Sequence, residues 1–132
     1  MTKEEIFRDL QSVMVEALHI PDDKIIWQAK LIDDLGMDSL DLLDLLFQME
    51  QKFNIRLSSR DFENRAKQEL GETPVEINDV FTPQALERLR RTMPEVPPEE
   101  LLPGLTRQEL PRRFRVATLV NWVVKAKENH NG

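Results

Sequence analysis

The 8 prolines of this 132-residue chain are unevenly placed: Pro21 stands alone, and the others fall between Pro74 and Pro111. Proline lacks a backbone donor and clashes with the preceding turn, so it is kept out of helix interiors. Long helices are therefore confined to the stretches before about residue 71 and after about residue 111. Both stretches are rich in Leu, Glu, Lys, Arg, Gln and Ala, which favour helix. With only 4 Gly and no Tyr, a turn-rich β fold is disfavoured. The length predicts one domain over 1–132.

The first helix is expected from about Lys3 to Leu18. Thr2 and Glu5 fit a capping box, and Ile6, Leu10, Val13, Met14, Ala17 and Leu18 form an apolar stripe. After Ile20-Pro21-Asp22-Asp23, the segment Lys24 to Leu35 reads as a long ordered loop. Ile25, Ile26, Trp27, Leu31, Ile32 and Leu35 can anchor it. A second helix is predicted from Asp38 or Ser39 to about Phe53, and a third up to about Leu70. In the proline-rich part, Thr82-Pro83 is a helix start with Thr as cap, giving a short helix to Thr92 and a turn at Pro98 to Leu102. The apolar residues there, among them Phe81, Leu86, Leu89, Met93, Val96, Leu101 and Leu105, are too many for a disordered loop. The final helix is expected from about Phe114 to Lys127, burying Val116, Leu119, Val120 and Val123, with a frayed tail at Asn129 to Gly132.

Charge is also unevenly placed. The net charge is -6. Between Leu31 and Gln51 the charged residues are Asp33, Asp34, Asp38, Asp41, Asp44 and Glu50, with no Lys or Arg. Such a face suits a basic partner protein and disfavours nucleic acid. On a helical wheel, Leu42, Leu45, Leu46, Met49 and Phe53 cluster on one side of the second helix. Leu40, Leu43 and Phe47 cluster well away from them, edged by Asp41, Asp44, Gln48 and Gln51. The second cluster reads as a docking surface, or as a face covered by the insertion.

The chain has no Cys, so it holds no disulfide, no thiolate metal site and no thiol of its own. Its only histidines, His19 and His130, have no nucleophile nearby in sequence. No catalytic residue and no metal site is assigned. The acidic, polar start at Thr2-Lys3-Glu4-Glu5 is unlike an export signal, and no apolar run reaches the roughly 20 residues a membrane helix needs. A cytoplasmic protein without membrane insertion is expected.

Asp33-Asp34-Leu35-Gly36-Met37-Asp38-Ser39-Leu40-Asp41 closely resembles the attachment motif of acyl carrier proteins. The match continues through Leu42 to Ile55, and Arg115 to Val123 is similar to the family's last helix. In all, the resemblance covers about Lys3 to Asn64 and Phe114 to Lys127. It implies an all-α fold, the acyl-carrier-like four-helix bundle, here with an additional helical insertion at about 71–113. It further implies that Ser39 receives 4′-phosphopantetheine from coenzyme A through a phosphopantetheinyl transferase. Asp38 matches the family residue that helps bind the transferase's magnesium ion. Leu40, Asp41, Leu43, Asp44 and Phe47 would dock partner enzymes that transfer or modify acyl groups. The carrier would be a monomer.

Two departures point to a specialised carrier: Gln51 and Lys52 stand where common fatty-acid carriers are acidic, and the short fold has no place for the insertion. The pathway stays open among fatty-acid, specialised lipid and polyketide biosynthesis. Two alternatives remain: a carrier-like module that is never modified, and a carrier of aminoacyl or peptidyl cargo.

Overall fold

The computed structural model of the chain describes residues 2–57, 76–77 and 80–131. Its helices there are α1 (Lys3–Leu18), α2 (Ser39–Phe53), α3 (Pro83–Thr92) and α4 (Val116–Asn131). Two compact units result: Met1–Leu57 with Phe114–Gly132, and Ser58–Arg113. The class is all-α, as the sequence predicts. The third helix expected up to Leu70 lies outside the described residues.

In the first unit, α1 packs against both α2 and α4. It opens at the expected capping box, with Thr2 Oγ1 accepting from the Glu5 amide at 3.1 Å and Glu5 Oε1 from the Thr2 amide at 3.2 Å. Its stripe buries Ile6, Leu10, Val13 and Met14, while α2 buries Leu45, Met49 and Phe53. From α4 come Val116, Leu119, Val120 and Val123, all fully buried. Each such side chain contributes roughly 1.5–3 kcal/mol of transfer free energy.

The loop after α1 is anchored by Ile25, Ala29 and Leu31, all buried. Ile26 is not an anchor: it is exposed. Ile25 is extended, and neighbours along an extended chain point to opposite sides. Trp27 lies at the surface, its ring stacked on Phe7 with centroids 4.5 Å apart.

The last helix starts later than expected, because Phe114 and Arg115 are used to pair with the loop. Lys30 and Arg115 face each other across an isolated antiparallel bridge. The Leu31 amide donates to Phe114 O at 3.0 Å, and the Val116 amide to Ala29 O at 3.1 Å. The Ala117 amide donates to Trp27 O at 2.9 Å. Loop carbonyls thus satisfy first-turn amides of α4 that would otherwise lack partners. At the other end α4 continues to Asn131, past the expected fraying point, and Lys127 Nζ donates to Phe53 O at the end of α2 (3.2 Å).

The second unit holds a departure from pure helix. β1 (Glu76–Ile77) and β2 (Val80–Phe81) form an antiparallel pair with Ile77 opposite Val80. Thr82 then caps α3, its Oγ1 accepting from the Ala85 amide at 3.2 Å, with Pro83 in the first turn. Phe81, Leu86, Met93, Val96, Leu101 and Leu105 are buried. Arg90 fixes the returning chain by donating twice to Leu101 O, at 3.1 and 2.8 Å. The predicted turn at Pro98 is a 3₁₀ turn over Pro98–Glu100.

Candidate functional site

The acidic segment is folded by its own backbone before any partner is considered. Lys30 O accepts from the amides of both Asp34 and Leu35, at 3.0 Å each. The Gly36 amide donates to Ile32 O (3.0 Å) and the Met37 amide to Leu31 O (3.1 Å). Gly36 takes φ +73°, a left-handed conformation that glycine adopts without strain. Met37 is then driven inside, with 4% of its surface exposed. Its role as the plug that ends the loop had no periodic signal in the sequence, because it belongs to neither helix stripe.

Directly after this plug comes the start of α2. Asp38 is the cap: its Oδ1 accepts from the Asp41 amide at 2.8 Å, while Asp41 Oδ2 accepts from the Asp38 amide at 3.2 Å. This reciprocal arrangement satisfies two orphan donors at once. Ser39 is therefore the first residue inside the helix and not its cap. It is exposed, and its hydroxyl makes no hydrogen bond among the described residues. The ordinary reason for a serine at a helix start is thereby removed.

Along α2 the two clusters of the wheel separate as expected. Leu40, Leu43 and Phe47 are 75%, 64% and 59% exposed. Leu42 and Leu46 are half-buried beside the buried Leu45 and Met49. Asp44 is exposed, but Asp41 is half-buried and held by its bond to the Asp38 amide. The structure thus brings Asp38, Ser39, Leu40, Asp41, Leu43, Asp44 and Phe47 onto the start and outer side of one helix.

The sequence places Asp34 in the acidic run and in the carrier-like motif, but gives it no bonding partner. In the structure its Oδ2 accepts from the Lys30 amide at 2.8 Å. The signal that could have found it is the habit of Asp side chains to bond nearby backbone in turns. Among the described residues no group of three or more His, Cys, Asp or Glu is arranged to hold a metal ion. No helix there is long and apolar enough to cross a membrane.

Comparison with known proteins agrees with this segment. Residues 8–78 match the family described as "Phosphopantetheine attachment site". An acyl carrier protein of Thermotoga maritima is 42% identical over 62 residues, spanning 47% of this chain and 76% of the relative. One from Campylobacter lari is 39% identical over 62 residues, or 47% of this chain and 80% of the relative. One from Wolinella succinogenes is 38% identical over 61 residues, or 46% and 80%. A helical bundle, a carrier motif at the start of its second helix and relatives matched over most of their length lead to one conclusion: the chain belongs to the acyl carrier protein family, with 4′-phosphopantetheine as its prosthetic group.

Proposed function

We propose that Ser39 carries the 4′-phosphopantetheine, and that the chain holds an acyl group on it as a thioester. The observation that carries this is the division of labour at the start of α2. Asp38 does the capping, which leaves the Ser39 hydroxyl exposed and unengaged. The residues fit the group. The amides of Ser39 and Leu40 lie in the first turn and have no hydrogen-bond partner among the described residues. With the helix dipole, such amides favour an anion by roughly 0.3–1 kcal/mol at an exposed site. That offsets part of the repulsion from Asp38 and Asp41. The prosthetic group supplies the thiol that this cysteine-free chain lacks.

The chain's own part is to present, hold and be recognised. Asp38 uses Oδ1 as the cap, and Oδ2 has no hydrogen-bond partner among the described residues; it would assist the magnesium ion of a phosphopantetheinyl transferase during loading. Leu40, Leu43 and Phe47 would form the apolar centre of docking with that transferase and with acyl-transferring and acyl-modifying enzymes. Asp44 would steer their approach, as rim charges do. We propose one carrier domain over 1–132 with an insertion at about 71–113, acting as a cytoplasmic monomer that performs no catalysis itself. The pathway lies in fatty-acid, specialised lipid or polyketide biosynthesis.

Incubation with coenzyme A, magnesium and a broad-specificity transferase should add one phosphopantetheine to the protein, read by intact mass. Ser39→Ala should take up none. Uptake by that variant at another serine would overturn the assignment, and no uptake by the natural protein would favour an unmodified docking module. The group found on protein purified from its own cells then separates acyl from aminoacyl or peptidyl cargo.

A further inference from the structure

The pairing pattern around Lys30 assigns a role to its neighbour in the acidic run. In the antiparallel bridge between Lys30 and Arg115, the bonds are made by the flanking residues: Ala29 O and Leu31 N reach Val116 and Phe114. Along a strand, backbone groups alternate in direction. The N–H and C=O of Lys30 itself therefore turn away from α4, toward the acidic turn. Lys30 is half-buried between the buried Ala29 and Leu31, where an unmet amide is costly. Asp34 meets both groups. Its own amide donates to Lys30 O at 3.0 Å, and its Oδ2 accepts from the Lys30 amide at 2.8 Å. That length is typical of a bond assisted by charge.

One edge of the segment 27–31 is thus bonded to α4, and the other is clasped to the turn that leads to Met37, Asp38 and Ser39. We infer that Asp34 is a positioning residue: its carboxylate acts as a backbone clasp that fixes the loop before Ser39, and not as a docking charge. The inference rests on the reading of Ser39 as the attachment point. It distinguishes Asp34 from Asp44, whose carboxylate makes no hydrogen bond among the described residues and offers only its charge.

The two roles need different chemistry. A clasp needs an acceptor oxygen at that place, and asparagine supplies one. A docking charge needs the charge, and asparagine removes it. The full chain, Asp34→Ala and Asp34→Asn should be compared for rate of loading by a broad-specificity transferase with coenzyme A and magnesium, at low and high salt. Hydrogen exchange of the Lys30 amide is followed in parallel. Asp34→Ala should lose Lys30 protection and load about five- to tenfold more slowly, by a factor that salt leaves unchanged. Asp34→Asn should keep that protection and load within about twofold of the natural chain. Should Asp34→Ala fail to fold, the result for Asp34→Asn decides alone.

Slow loading of Asp34→Asn that recovers in high salt would make Asp34 a docking charge and overturn the inference. Unchanged Lys30 exchange in Asp34→Ala would overturn it as well. If instead Ser39→Ala still takes up the group, the attachment reading fails. The Lys30 exchange then still reports on the clasp.

Discussion

Thr2 and Glu5 show how far two side chains can be read before and after folding. The spacing predicts a capping box, and the box is present. Its electrostatic consequence is that the Glu5 carboxyl is held below the ordinary glutamate range, first by the Thr2 amide that donates to it and then by the Thr2 hydroxyl. A depressed folded value means that the ionised form stabilises the helix start. That contribution is complete above the unfolded value and is lost as pH falls through the folded one. Protection of the first-turn amides of α1, taken relative to the intrinsic exchange rate at each pH, should therefore fall as acid is added across that interval, and Glu5→Gln should flatten the dependence. A Glu5 that titrates in NMR at the ordinary value would contradict this. Leu40, Leu43 and Phe47 were legible in the same way, because helical phase alone separates them from Leu45 and Met49, whereas Ser39 was found through the resemblance of its motif to the carrier family. Asp34 and Met37 were not. Which backbone amide a carboxylate accepts from, and which loop side chain turns inward, depend on the route of the loop, and periodicity carries no record of that route.

α2 presents two kinds of acid, and the difference is testable. Asp44 is exposed and offers only charge, whereas Asp41 also completes the cap with Asp38. Asp44→Lys should slow loading by the transferase in a salt-sensitive manner while leaving stability within about 0.5 kcal/mol. Asp41→Lys should show the same kinetic defect and in addition destabilise the helix start by about 1 kcal/mol. Chemical denaturation beside loading rates separates the two, and equal stability losses would refute the assignment of the cap. The extents of α1, α2 and α3 were readable from caps and from the 3.6 period. The start of α4 was not, since Phe114 and Arg115 carry no mark that they pair with Lys30 and stay extended. Nor was the hairpin of β1 and β2, whose strands of two residues each are too short for an alternating pattern to register.

Each compact unit has apolar residues of its own to bury. In the second, Leu86 and Leu101 are 1% and 0% exposed. Leu101→Ala should cost about 2–5 kcal/mol through the lost contacts and the cavity left behind. Amide protection at Phe81 and Met93 should fall with it, because the Phe81 amide is bonded to Leu105 O and the Met93 amide to Leu89 O in the same unit. A loss below about 1 kcal/mol would mean that the site collapses around the smaller side chain.

The bonds from Ala29 and Trp27 to the start of α4 join two stretches separated by the whole of α2 and of the second unit. Closing a loop costs entropy that grows only with the logarithm of its length, about 0.6 kcal/mol for each doubling. Extra residues between Leu57 and Phe114 therefore weigh little on the equilibrium stability of the bundle. They weigh more on time: α4 has to find its place beside the loop through a longer search, and distant pairings of this kind slow folding. A carrier bundle can accept a large insertion at this point for the same reason, since what lengthens is the path to the native state and not the drop in free energy on reaching it.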